Sequence, residues 1–370
     1  MSLDTPEAQA ASSLPPQGIA LQANEPAAPH DWDRIFLHLG ACGFEIDRNA
    51  APRRFAGGLA NLNYLLRLES GDWVVLRRPP AGPLPPGAHD MAREHRILKD
   101  LWVQMPLAPR SYHLCTDLAV AGVPFQLLEF RPGVAVRGDS LAPFADTPQT
   151  GQALSQLLVD GLSKLHSVDP AAAGLGTLGK PENFMARGAR GWIDRARRVC
   201  PARNAAVVDP LAAWLEQHTA GLAGEVALLH NDFKLDNLLL NPDTMAPVAV
   251  LDWDMGTRGE ALFDLATLLS YWSEPGDPHC MQVLAQMPTA RPGFMTREQA
   301  AAAYSQASGR ALAHFKVYRV LAMFKLGVVF HQLHSRFVSG ETADPRFAGF
   351  GELADGLLDF TRDVAADKYF

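Results

Sequence analysis

The stretch 230–254, HNDFKLDNLLLNPDTMAPVAVLDWD, constrains this chain more than any other. It carries two short polar clusters separated by apolar runs. His230, Asp232, Lys234 and Asn237 lie within eight residues, and Asp252 follows after Leu238-Leu239-Leu240, a turn at Asn241-Pro242-Asp243 and the run Val248-Ala249-Val250-Leu251. The apolar runs read as two buried strands joined by a hairpin-like turn. Such a hairpin brings Asn237 and Asp252 close together. A carboxylate and an amide oxygen side by side suit a hard, oxygen-loving cation such as Mg2+. Asp232 and Lys234 stand two apart, so an extended loop aims both at one site. A carboxylate takes the proton of an attacking hydroxyl, and a lysine steadies a phosphate oxygen. The plain alternative is a polar turn beside a buried hairpin. It leaves five placed polar groups unexplained, since burying each one unpaired costs about 1–3 kcal/mol.

The spacing His230-x-Asp232-x-Lys234-x-x-Asn237 is that of the kinase catalytic loop, and Asp252-Trp253-Asp254 stands where protein kinases carry D-F-G. With Phe263-Asp264-Leu265-Ala266 close behind, the set resembles the aminoglycoside phosphotransferase and choline kinase branch. The resemblance implies that Asp232 is the catalytic base, that Asn237 and Asp252 hold magnesium, and that Asp264 buttresses the catalytic loop. It implies ATP and Mg2+ as cofactors. The implied fold is α+β and bilobal, protein-kinase-like. A small N-terminal lobe holds an antiparallel sheet plus a helix, and a larger, mainly helical C-terminal lobe holds the catalytic-loop hairpin.

Composition narrows the field. The 370 residues are 48% hydrophobic and 20% charged, ample for a core and consistent with two lobes. A net charge of −7 argues against nucleic acid as a partner. Cys42, Cys115, Cys200 and Cys280 are far apart and form no C-x-x-C pair, so neither a zinc site nor a disulfide scaffold is signalled. A reducing, cytoplasmic compartment fits. No charged segment followed by an apolar run marks a signal peptide. The apolar stretch 317–333 is interrupted by Arg319, Lys325 and His331, and reads as a core helix, not a membrane span.

Along the chain, residues 1–29 are rich in Ala, Pro, Gln and Ser and read as a flexible leader. A helix is expected from Asp31, ended by Gly40 or Gly43. Within residues 53–78, a glycine turn that contains Gly57, Gly58 and Asn61 feeds a strand at 62–68, and Gly71-Asp72 turns into a second strand from Trp73. Paired glycines let backbone amides approach a phosphate, although such a turn is also an ordinary hairpin. No G-x-x-x-x-G-K-[ST] is present anywhere. In a kinase fold the second strand supplies the cation for the ATP phosphates, here Arg77 in place of the usual Lys. The run LRRPPAGPLPPGAH that begins at Leu76 resembles the kinase-like domain associated with acyl-CoA dehydrogenases. That resemblance implies a functional link to such an enzyme. Residues 91–102 read as a helix whose apolar stripe carries Glu94, which wants a cationic partner. The resemblance to kinases, with their Lys–Glu pair, implies Arg77; the plain alternative is a local pair with Arg93. Residues 124–130 read as a strand that breaks at Arg131-Pro132-Gly133. In the resembled family Glu129, Phe130 and Arg131 would fall in the adenine-binding linker. The lobes are therefore expected at 30–130, for nucleotide binding, and 131–370, for catalysis and substrate.

The rest reads as helical, near 150–166, 211–222, 296–306, 310–334 and 349–366. His166 reads as a satisfied core or helix-end histidine. Arg187, Arg190, Arg195, Arg197, Arg198 and Arg203 gather around Trp192. They form either a solvated face with packed stems or an anion pocket for an acidic substrate such as a CoA phosphate. Glu274 and Asp277 either meet a cationic acceptor or are solvated. The expected function is ATP- and Mg-dependent transfer of the γ-phosphoryl group to a small-molecule hydroxyl, that of a hydroxy acid or hydroxyacyl-CoA. The alternatives are an aminoglycoside or amino-alcohol kinase and a nucleotide-binding pseudokinase module. A protein kinase is disfavoured, because eleven residues between Asp252 and Asp264 leave little room for an activation segment and the A-P-E motif is absent.

Overall fold

The computed structural model of the chain describes residue 21 and residues 30–56, 61–80, 90–342 and 344–370. The expected leader, apart from Leu21, lies outside the described residues, as do Gly57, Gly58 and residues 81–89.

Helix α1 (Trp32–Ala41) is capped by Asp31, whose carboxylate accepts from the Arg34 amide at 3.0 Å. It buries Ile35 and Leu39, and the chain turns away at Gly43 with φ +88°. Strands β1 (Arg53–Arg54), β2 (Leu62–Arg67) and β3 (Trp73–Arg78) follow, then α2 (Met91–Leu101), β4 (Ser111–Cys115), the short α3 (Leu118–Ala121) and β5 (Phe125–Glu129). The sheet is antiparallel in the order β1-β2-β3-β5-β4. Alternation along β3 sorts its side chains as the sequence predicts. Val74 and Leu76 enter a small core with Ile35, Leu39, Phe125 and Leu127, while Val75 packs against the larger core that contains Ile97 of α2.

Beyond β5 the chain is mostly helical, with α4 (Pro148–His166), α5 (Phe184–Val199) and α6 (Ala205–Thr219). Helix α6 starts earlier than expected and encloses Pro210, at the cost of one intrahelical hydrogen bond. Two small antiparallel ribbons come next. Strand β6 (Val226–Leu229) pairs with β9 (Thr257–Glu260), and β7 (Leu238–Leu240) pairs with β8 (Pro247–Val250). The Asn241 side chain closes the β7–β8 turn by accepting from the Asp243 and Thr244 amides, each at 2.9 Å. Helices α7 (Ala261–Ser270), α8 (His279–Leu284), α9 (Arg297–Ser308), α10 (Phe315–Val338) and α11 (Phe350–Ala365) complete the chain. Helix α10 is buried nearly all round from Phe315 to His331, which explains its lack of a polar face. Among the described residues no helix is long and apolar enough to cross a membrane.

Candidate active site

Each ribbon delivers part of one site. Strand β6 runs into His230, β9 runs into α7, and the β7–β8 hairpin sets Asn237 and Asp252 at its two ends. The Leu251 amide donates to the Asn237 carbonyl at 2.8 Å, one step past the ladder, which draws those ends together.

Asp264, buried in α7, holds the loop. Its Oδ2 accepts from the His230 amide at 2.6 Å and its Oδ1 from the Asn231 amide at 2.7 Å. His166 backs it, with Nε2 3.3 Å from Oδ2 and Nδ1 2.6 Å from the Tyr304 hydroxyl. Burial pushes the Asp264 carboxyl up, but the hydrogen bonds from His166 and the His230 amide outweigh it and hold the group below the usual carboxylate range. Burial pushes His166 down against the pull of Asp264, and both ring nitrogens are partnered. His166 is thus the satisfied core histidine expected, and it also supports Asp264. The loop takes a left-handed step at Asn231, φ +64°, whose carbonyl accepts from the buried Lys325 ammonium at 3.2 Å. His230 spans the hairpin base, its Nε2 2.8 Å from the Leu251 carbonyl.

Asp232 is the focus of the arrangement. Lys234 Nζ lies 3.2 Å from its Oδ1 and 3.1 Å from its Oδ2. The Asn237 amide donates to Oδ2 at 3.0 Å, and the Tyr271 hydroxyl donates to Oδ1 at 3.0 Å. Burial works against the Lys234 charge, but Asp232 more than offsets it and keeps the ammonium above its ordinary range. Asn237 also donates to the Asp232 carbonyl at 2.8 Å, so its amide nitrogen is committed and its oxygen is left for a cation. Asp252 takes a left-handed conformation at φ +68°. Burial raises its carboxyl, and Arg77 overcomes that and lowers it. An ionised carboxylate beside an amide oxygen is a donor set that fits Mg2+.

Arg77 forms the second group. Its Nε lies 2.8 Å from Glu94 Oε2, the pair expected from the sequence, and a further nitrogen pairs with Asp252. The arginine therefore joins β3, α2 and the residue after the hairpin. Glu94 is fully buried, and its Oε1 also accepts from the Trp253 amide at 3.1 Å. Asn61 Nδ2 lies 3.4 Å from Asp254 Oδ2. Burial, with Asp252 and Glu94 nearby, pushes the Asp254 carboxyl up to about 7. Glu129 and Arg131 pair with each other at 2.9 Å, and Glu129 also accepts from the Arg110 amide at 3.0 Å. Phe130 lies half-buried between them. Among the described residues, the ion pair and hydrogen bond of Glu129 and Arg131 do not reach the Asp232 group.

Sequence reasoning missed Tyr271 and Lys325. Tyr271 follows Asp264 by seven residues, two helical turns, and so faces the same loop. That spacing was available as a signal. Lys325 was visible as a charge in an apolar run. The Glu274 and Asp277 readings need correction. Neither a solvated surface nor an acceptor site describes them, because both pair with the buried Arg297, and the Asp277 side chain is only 2% exposed. The arginine group divides. Arg187 donates to the Glu182 carbonyl at 3.0 Å and Arg203 pairs with Asp355 at 2.9 Å, whereas Arg195 lies over the Trp192 ring, 4.4 Å from its centroid.

A model of the phosphotransferase enzyme family matches residues 52–309. The mouse acyl-CoA dehydrogenase family member 10 is 27% identical over 319 residues, which make up 86% of this chain and 29% of the mouse protein. The chain thus spans under a third of that relative's length. Among solved structures, a candidate aminoglycoside phosphotransferase from Ralstonia eutropha superposes with a TM-score of 0.74 at 24% identity, covering 91% of this chain and 98% of its own. A thermostable mutant of aminoglycoside phosphotransferase APH(4)-Ia, solved as a ternary complex with AMP-PNP and hygromycin B, gives 0.59 at 15% identity, with 90% and 98% covered. These likenesses establish the expected bilobal, kinase-like α+β fold.

Proposed function

The chain belongs to the phosphotransferase enzyme family, and from that premise we propose that it transfers the γ-phosphoryl group of ATP, with Mg2+, to the hydroxyl of a small acidic molecule, a hydroxy acid or hydroxyacyl-CoA. The observation that carries this reading is the convergence of Lys234, Asn237 and Tyr271 on Asp232, with Lys234 close enough to Asp252 to bear on its charge. Asp232 accepts the acceptor hydroxyl's proton as its oxygen attacks phosphorus and ADP leaves. Lys234 supplies fixed positive charge beside the transferring group. Asn237 and Asp252 would hold Mg2+, which when bound neutralises phosphate charge. Arg77, tethered by Glu94, neutralises the nucleotide phosphates, with Asn61 and the Gly57-Gly58 turn nearby in sequence. The chain from Glu129 through Phe130 to Arg131 offers backbone groups to the adenine.

Two features support an acidic acceptor. One is the similarity to an acyl-CoA dehydrogenase family member, which also motivates a functional link to such an enzyme. The other is Arg195, stacked on Trp192 and close enough to Lys325 to bear on its charge. The test is ATP consumption by the purified chain with Mg2+ across hydroxyacyl-CoAs, hydroxy acids, aminoglycosides and amino alcohols. The expected result is turnover with the acidic class alone, abolished in Asp232→Asn. Turnover confined to aminoglycosides or amino alcohols would overturn the acceptor assignment.

One observation favours a second reading. Arg77 pairs with Asp252, one of the two proposed metal ligands, as a nucleotide-binding pseudokinase module would tolerate. Mg-dependent ATP binding without turnover on the whole panel would favour that reading.

A further inference from the structure

A second cluster of ligating side chains lies outside the Asp232 site. His38 sits in the last turn of α1, and Cys42 follows one turn later as the residue that ends the helix. Their i, i+4 spacing places both on one face. His113 reaches them from β4, the edge strand of the sheet. The two imidazole Nε2 atoms are 3.0 Å apart, and Cys42 Sγ lies 3.9 Å from that of His38 and 3.8 Å from that of His113. Among the described residues this is the one group of three His, Cys, Asp or Glu residues whose ligand atoms converge in this way.

The triangle has the dimensions of a metal's coordination sphere. Zn–N bonds of about 2.0–2.1 Å and a Zn–S bond of about 2.3 Å at tetrahedral angles put ligand nitrogens roughly 3.3 Å apart and sulfur about 3.6 Å from each nitrogen. Facing Nε2 atoms can share only one proton between them, whereas two neutral imidazoles can both turn their lone pairs to a cation. Phe125 meets the His38 ring edge-on, with centroids 6.0 Å apart, and Phe44 lies 6.3 Å from the His113 ring, so the imidazoles are walled by apolar surface while Cys42 is exposed.

We propose that His38, Cys42 and His113 form a binding site for one zinc-class divalent transition-metal ion, with a fourth tetrahedral position left for water. Two imidazoles and a thiolate select such an ion over Mg2+ or Ca2+. On binding, the Cys42 thiol releases its proton to solvent and the sulfur bonds the metal. The ion ties α1 to β4 across the outer edge of the N-terminal lobe. The sequence concealed this site because His113 lies 71 residues from Cys42.

The test is a titration of the full chain with Co2+, followed by Zn2+, in excess Mg2+ to occupy hard-oxygen sites. The expected result is one Co2+ per chain with a thiolate-to-cobalt charge-transfer band that Zn2+ displaces, and a rise in the melting temperature with Zn2+. Cys42→Ser removes the band, and both Cys42→Ser and His113→Gln weaken zinc binding at least tenfold while their metal-free melts match the parent. Absence of the band in the parent would overturn the proposal, as would zinc affinities within twofold of the parent in both folded variants.

Discussion

Tyr271 donates its phenolic hydrogen to Asp232 at 3.0 Å while the Lys234 ammonium lies 4.6 Å from the centre of the same ring. One side chain therefore orients both the proposed base and the proposed phosphate-steadying cation. Tyr271→Phe keeps the ring and removes the donor. A hydrogen bond to a charged group is worth about 1.5–3 kcal/mol, and partial exposure of Asp232 trims that, so kcat is expected to fall about tenfold. KM for ATP and the melting temperature should stay near the parent values, because the apolar packing is intact. Steady-state kinetics in both substrates would separate these outcomes, and an unchanged kcat would remove Tyr271 from the machinery.

Asp264 satisfies two consecutive backbone amides, those of His230 and Asn231. An asparagine there presents an N–H2 group to one of two fixed N–H donors. Asp264→Asn is expected to destabilise the fold by about 2–4 kcal/mol, measured by urea unfolding at pH 7. The folded-state pKa of Asp264 is depressed, so its contribution is present above the unfolded value of about 3.9 and is lost as pH falls through the folded value. Parent and variant stabilities should converge in that acid range. A gap that persists unchanged there would show that the loss is steric and not ionic.

Arg77 stands between two carboxylates, the buried Glu94 and the partly exposed Asp252. Arg77→Met leaves Glu94 unpaired, which is expected to cost about 3–5 kcal/mol. The double variant Arg77→Met/Glu94→Met removes both charges and should recover much of that loss. Nucleotide affinity should not recover, since the cation proposed to face the phosphates is still missing. Chemical unfolding and ATP titration of Arg77→Met, Glu94→Met and the double variant form a double-mutant cycle. A double variant that is as unstable as the sum of the singles would refute the coupling.

The parts of the site that were readable in the sequence are those whose geometry is local. The β7–β8 hairpin was legible because apolar runs flank a turn, and its ladder with the Leu251–Asn237 bond beyond it draws Asn237 and Asp252 to one end. Glu94 could be matched to Arg77 because a lone carboxylate on an apolar helical stripe demands a cation, and the resemblance to kinases, which pair such a glutamate with the cation of this strand, pointed to β3. Asp277 was misjudged because its partner, Arg297, comes 20 residues later, at the start of α9. The partner of Lys325 and the His38–Cys42–His113 group were hidden for the same reason, since each depends on contacts made only when distant elements pack. Polarity alone does not tell a buried, paired charge from a solvated one.

His30 offers a pH-sensitive contact away from the catalytic loop. Its Nδ1 accepts from Arg78 at 2.9 Å and its Nε2 lies 2.9 Å from the Tyr64 hydroxyl. The arginine contact requires a neutral ring. Burial, aided by Arg78 and Arg54, pushes His30 down to about 4. Between the ordinary histidine value of about 6.5 and about 4, the unfolded chain holds a proton that the folded one lacks. Stability from this contact is therefore complete above the unfolded value, declines as pH falls through the window, and levels off below it. His30→Gln can keep both hydrogen bonds, with its carbonyl facing Arg78 and its amide facing Tyr64, and it cannot titrate. Its unfolding free energy is expected to change less steeply with pH across that window than the parent's, while matching the parent near pH 7.5. Parallel slopes in urea titrations at four or five pH values would show that His30 carries none of the acid sensitivity.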